Sequence, residues 1–180
     1  MPVDTLRCTA LLVALALGGC ASTPPPAPTA EPAAPPAPPA EPPTPAQQRT
    51  DAAAKLAVER QWLASWFKGT PVVVGQRADG AVFVDVPREF CFEPGRDVVK
   101  PALAAVLDKV AQSLRRLPIA ELHLIAAPGD SSSGAALGLQ RANRVHDYLR
   151  THGVSPSRLA KPSSATGAAV QLRIEAASPA

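Results

Sequence analysis

From residue 24 to residue 46 the chain is proline and alanine with scattered glutamate and threonine, a composition with almost nothing to bury. Such a stretch favours polyproline II geometry, and at about 3.1 Å per residue it reaches on the order of 70 Å. It therefore reads as a semi-rigid spacer, and any core must be built from what lies beyond it. Of the 180 residues, roughly 130 follow the spacer, enough for one domain with a modest core and too few for two. The formal net charge of +3 comes from interspersed basic and acidic residues without a dense cationic stripe. That pattern argues against a nucleic-acid partner.

Upstream of the spacer, an apolar run from Thr9 to Leu17 follows Arg7. It is too short to span a bilayer and has the length of a signal-peptide core. The run ends in Leu17-Gly18-Gly19-Cys20, which resembles the bacterial lipobox. The resemblance implies a signal peptide over residues 1–19 and a mature chain that begins at an acylated Cys20, followed by a tether over residues 20–46. Several acyl chains on one residue give stable anchoring. Lipoproteins with a residue other than Asp after the acylated Cys resemble outer-membrane ones, and here that residue is Ala21. The expected location is the periplasmic face of the outer membrane. With Cys8 in the removed segment and Cys20 acylated, Cys91 is the one thiol left, which excludes an intrachain disulfide.

After the tether, residues 47–68 carry Leu56, Leu63, Trp66 and Phe67 at helical spacing, with Trp62 widening the face. Two uses suit this helix: packing on its own domain, or docking a partner or membrane surface through its tryptophans. Residues 69–177 are expected to form an α+β domain. Val72-Val73-Val74 and the alternation over 81–86 flank Asp79-Gly80 and predict a β-hairpin. Phe90-Cys91-Phe92 reads as strand-like. Val99, Leu103, Val106, Val110 and Leu114 share one face of a helix over 97–117 that Pro118 stops. A short apolar strand over 122–127 follows, then a helix bearing Leu137, Ala142, Val145 and Leu149 that Gly153 ends, then a strand over 170–174. The order strand, helix, strand, helix, strand describes a βαβαβ sandwich with helices on one face of a small sheet.

Several of these elements together resemble the OmpA C-terminal-like domain of peptidoglycan-associated lipoproteins over residues 82–175. The residues that carry the resemblance are Phe90-Cys91-Phe92-Glu93-Pro94-Gly95, Pro101, Asp130, Leu137-Gly138-Leu139-Gln140-Arg141-Ala142, Gly153-Val154 and Arg158-Leu159. In that family an Asp after the middle strand and an Arg of the second helix grip the two ends of the diaminopimelate residue in peptidoglycan stems. Carried over, the ligand-binding residues are Asp130 and Arg141. A guanidinium takes a carboxylate bidentately, a carboxylate takes an ammonium, and a helix start adds N–H donors.

The chain departs from the family pattern in four places. Ala127-Pro128-Gly129-Asp130 stands where the family has Gly-His-Thr-Asp. The loop before Arg141 is about four residues shorter and has Ser131-Ser132-Ser133-Gly134-Ala135-Ala136 in place of a segment with Asn. The Gly-rich segment after Leu159 is reduced to residues 160–167, and the Asn-Arg-Arg start of the last strand reads Gln171-Leu172-Arg173. A plainer reading makes Asp130 a turn or helix cap, and Arg141, with Arg144 and Tyr148, the solvated face of an amphipathic helix.

No enzyme is expected. Cys91 lies between two phenylalanines, which raises a thiol pKa, and His123, His146 and His152 have no metal-ligand spacing. No cofactor motif is present. The function implied by the resemblance is an outer-membrane lipoprotein that tethers the envelope by non-covalent binding of peptidoglycan. The alternative is an OmpA-like domain without that binding, acting as a platform for envelope protein partners.

Overall fold

The computed structural model describes residues 42–130 and 134–177. The expected signal peptide, Cys20 and the tether as far as residue 41 lie outside the described residues, as do Ser131, Ser132 and Ser133 of the loop after Asp130.

The first helix, α1 (Pro45–Trp66), begins two residues earlier than its apolar pattern shows, because Thr44 caps it. The Thr44 hydroxyl accepts from the Gln47 N–H, and the Gln47 side chain accepts from the Thr44 N–H. This reciprocal box, with Pro45 at the first helical position, satisfies donors that would otherwise be orphaned. Leu56 and Leu63 bury themselves in the domain core. The tryptophans are engaged by the same domain: Arg116 lies 3.7 Å over the Trp62 ring and Lys109 lies 3.4 Å over the Trp66 ring. Glu59 accepts from Ser113 Oγ at 2.8 Å and pairs with Arg116 at 2.7 Å. Packing on its own domain is thus the use this helix has here.

Strands β1 (Val73–Gln76) and β2 (Val82–Pro87) form the expected hairpin, with Asp79 accepting from the Ala81 N–H inside the turn. The strand-like reading of Phe90-Cys91-Phe92 is corrected: Arg88–Cys91 is a single helical turn, α2, and the chain becomes extended only at Phe92. Four residues are too few to show a helical period, so the alternating apolar pattern misleads there. Helix α3 (Pro101–Arg116) starts at its proline rather than at residue 97 and buries Leu103, Val106, Leu107, Val110 and Leu114. Then come β3 (Ala120–Pro128), α4 (Gly134–Thr151), a 3-10 turn (Pro156–Arg158), β4 (Ser163–Ala165) and β5 (Ala169–Ala176).

The sheet order is β1-β2-β5-β3-β4. β5 runs antiparallel to both β2 and β3 and lies between them, so α3 crosses over β5 to join two strands of the same direction. β4, a strand without apolar alternation, adds parallel to the C-terminal end of β3. One face of the sheet carries Val82, Val84, Val86, Leu122, Val170, Leu172 and Ile174 into a single core with α1, α3 and α4. Arg158 ties the assembly at one end, donating to the Leu114, Leu117 and Ala120 carbonyls. The opposite end, where β3 finishes at Pro128 and α4 begins, holds the candidate site.

Candidate functional site

α4 approaches the end of β3 closely because residue 138 has no side chain. A Cβ there would lie 2.7 Å from the Ala127 carbonyl oxygen and 3.0 Å from the Gly129 nitrogen. The contact places the next turn of α4, and with it Arg141, beneath the segment 128–130. Residues 93–96 come down on the same point. Arg96 N–H donates to the Glu93 carbonyl, and Gly95 takes a left-handed φ of 70° that glycine adopts without penalty.

Arg141 is fully buried. Its Nε donates to the Arg96 carbonyl at 2.9 Å, one terminal nitrogen to the Pro128 carbonyl at 2.9 Å and Asp130 Oδ1 at 3.0 Å, and the other to the Glu93 carbonyl at 3.0 Å and Asp130 Oδ2 at 3.2 Å. All five N–H groups that a guanidinium offers are spent inside the chain. The Phe92 ring lies 5.0 Å away beneath it. Reading Arg141 as part of a solvated helix face is therefore corrected. Helical periodicity puts it on the α4 surface, but three backbone carbonyls and a carboxylate from two distant segments converge there and remove it from water.

Asp130 is the partner expected from the sequence, and the structure brings it against Arg141. Its Oδ2 also accepts from the Gly95 N–H at 2.5 Å. These bonds, that of Arg141 first and that of Gly95 second, hold its carboxyl below the usual carboxylate range. A carboxylate has about four acceptor positions, and the three bonds leave one on Oδ1. Asp130 lines a cleft of about 570 Å³ together with Arg88, Glu89, Phe92, Glu93, Pro94, Gly95 and Lys100. Lys100 Nζ is committed to Glu93 at 2.8 Å and to the Glu89 carbonyl at 2.9 Å. Arg88 is a cleft residue with no part in the sequence reading. Its terminal nitrogen stands 3.8 Å from Asp130 Oδ1. No spacing signal points to it, because it reaches the cleft through the short turn of α2.

Arg144, one turn along α4 from Arg141, is exposed and pairs with Asp97 at 2.8 Å. Tyr148 donates to Asp108, and its hydroxyl is pushed up to about 12 by burial and that neighbouring carboxylate. Cys91 is buried, its thiol pushed up to about 12 by burial; a thiol held protonated is a poor nucleophile. Among the described residues, no group of three His, Cys, Asp or Glu side chains has metal-binding geometry, and no helix is long and apolar enough to cross a membrane.

The chain has the OmpA-like fold. It superposes on a putative MotB-like protein from Desulfovibrio vulgaris with a TM-score of 0.58, at 15% identity over 72% of this chain and 96% of that one. Against the periplasmic domain of Helicobacter pylori MotB the TM-score is 0.51, at 20% identity over 58% of this chain and 84% of that one. In sequence it is 30% identical over 133 residues to a protein of Escherichia coli (strain K12) described as probable lipoprotein YiaD, covering 66% of this chain. The match spans 60% of that relative's length. No family profile matches the chain.

Proposed function

We propose that this chain is a lipid-anchored envelope protein, held in the outer membrane through Cys20, whose OmpA-like domain binds peptidoglycan non-covalently at the cleft beside Asp130. The tether over residues 20–46 sets the domain away from the membrane. The observation that carries this reading is Asp130 itself: three bonds fix its carboxylate, one acceptor position is left over, and the residue lines an open cleft. A carboxylate so held, below the usual range, is ionised at neutral pH and suited to an ammonium group of a stem peptide. The lipobox before Cys20 and the likeness to a probable lipoprotein support the anchor.

A second reading has one specific observation in its favour. Arg141, which the family resemblance makes the carboxylate-binding group, has every N–H engaged within the chain. A site closed in this way suits a domain that has turned from peptidoglycan to envelope protein partners. Sedimentation with purified sacculi separates the two readings. Wild-type protein that pellets with sacculi, and Asp130→Asn protein that stays in the supernatant while keeping its fold, support peptidoglycan binding. Wild-type protein that stays in solution overturns it in favour of the platform.

A further inference from the structure

If the cleft takes a stem peptide, Arg141 is not the group that meets its carboxylate. Arg141 is fully buried and donates five hydrogen bonds, so an incoming carboxylate finds no free N–H and would have to displace Asp130 from its bidentate pair. Lys100 is bound to Glu93 and to the Glu89 carbonyl. Among the described residues, the remaining cation of the cleft is Arg88. Its side chain is 42% exposed. Among the described residues its contacts are one long hydrogen bond, 3.4 Å to the Gly129 carbonyl, and the 3.8 Å approach to Asp130 Oδ1. A guanidinium has five donors in a planar fork, and against the described residues this one has most of them unspent.

The position of Arg88 is fixed from the backbone side. Its own N–H donates to the Ala168 carbonyl at the entry of β5, and it opens the α2 turn that follows β2. The fork therefore stands beside Asp130 on a rigid base, with a positive and a negative group at the mouth of one cleft. The geometry points to Arg88 as the carboxylate-binding residue of this site, with Asp130 Oδ1 receiving the ammonium of the same ligand. The ligand class is an amino-acid centre that carries both a free ammonium and a free carboxylate. This assignment rests on the peptidoglycan reading above. It deepens that reading by giving the two charges of the ligand to Arg88 and Asp130 rather than to Arg141 and Asp130.

Two soluble stem peptides test it, identical except that the terminal diamino-acid centre bears a free carboxylate in one and a carboxamide in the other. Binding of each to the full chain, purified in detergent, is measured by calorimetry for wild type, Arg88→Gln and Arg144→Gln. A charge-assisted pair lost from a ligand site weakens binding about tenfold or more. The expected result is that loss for the carboxylate peptide on Arg88→Gln, with the carboxamide peptide bound weakly and equally by wild type and variant. Arg144→Gln, whose partner is Asp97 outside the cleft, leaves both affinities unchanged. Wild-type affinity in Arg88→Gln, or equal affinity of wild type for the two peptides, overturns the role of Arg88 and leaves peptidoglycan binding standing. Failure of wild type to bind either peptide overturns both. Because Arg88 is half exposed and packs in no core, the variant keeps its fold, which a thermal melt of the same sample verifies.

Discussion

Asp130 accepts both ends of the Arg141 fork, at 3.0 and 3.2 Å, and the arginine beneath it has no exposed atom. The pair does two things at once. It joins α4 to the segments 93–96 and 128–130, and it fixes the carboxylate of a residue that lines the cleft.

Arg141 is accordingly a structural residue before it is anything else. Arg141→Ala removes the charge that five oxygens converge on, leaving three carbonyls without that donor and Asp130 with the Gly95 N–H alone. Leaving a buried acceptor without its donor costs about 1 to 3 kcal/mol, and more than one carbonyl is affected here. Arg144→Ala removes only an exposed, solvent-screened pair with Asp97 and should change stability far less. Urea unfolding of the two variants checks the difference. Equal, small losses would show that the Arg141 cluster does not hold the fold.

Acid should loosen the same cluster. The folded-state pKa of Asp130 lies below its ordinary value of 3.8, held there by Arg141 and then Gly95. A depressed carboxyl contributes stability that is complete above the unfolded value and fades as pH falls through the folded one. Wild-type stability should therefore fall from about pH 4 downward, and Asp130→Asn should show a shallower fall over that window. Parallel acid-unfolding curves for the two proteins would contradict this. Asp97, lowered by Arg144, adds a slope of its own that both proteins share.

Cys91 should resist alkylation in the native state. It is buried, its thiol is raised to about 12, and its hydrogen donates to the Pro87 carbonyl at 3.3 Å. Iodoacetamide should label it in denaturant and leave it unmodified in buffer at neutral pH. Prompt labelling of folded protein would show that the α2 turn opens.

Cys20→Ser should abolish acylation and leave the unprocessed precursor, since no other thiol stands at the Leu17-Gly18-Gly19 stretch. Palmitate labelling and membrane fractionation read the result. A variant that still takes up label and still fractionates with the outer membrane would remove the basis for the anchor.

How far these features are legible in the sequence follows from how local each signal is. The Asp79-Gly80 turn between alternating valines, and the apolar faces of α3 and α4, are short-range patterns, and the structure has all three. β4 is not legible, because Ser163, Ser164 and Ala165 gain their strand from parallel pairing with Ala126, Ala127 and Pro128 and not from any alternation of their own. Nor is α2, whose four residues carry no period.

At the site the divide runs the same way. Asp130 and Arg141 stand in recognisable places along the chain, and the structure brings them together. Their meaning changes with the surroundings. The carbonyls of Glu93, Arg96 and Pro128 belong to backbone that any sequence has, so nothing in the residue types foretells that they converge on one guanidinium. Arg88 is hidden for a related reason: it lies 42 residues before Asp130, and the β2 to α2 corner alone aims it at the cleft.

The most direct test of the central claim uses the Gly95 amide. Its N–H donates to Asp130 Oδ2, so its proton resonance reports on the carboxylate that the ligand is to meet. The measurement is a proton–nitrogen NMR titration of the mature chain with a soluble stem peptide bearing a free ammonium and a free carboxylate. The Gly95 amide and the Arg88 side-chain N–H should shift together and saturate at one peptide per chain. Unmoved resonances for both at saturating peptide, or shifts confined to α1, would contradict it.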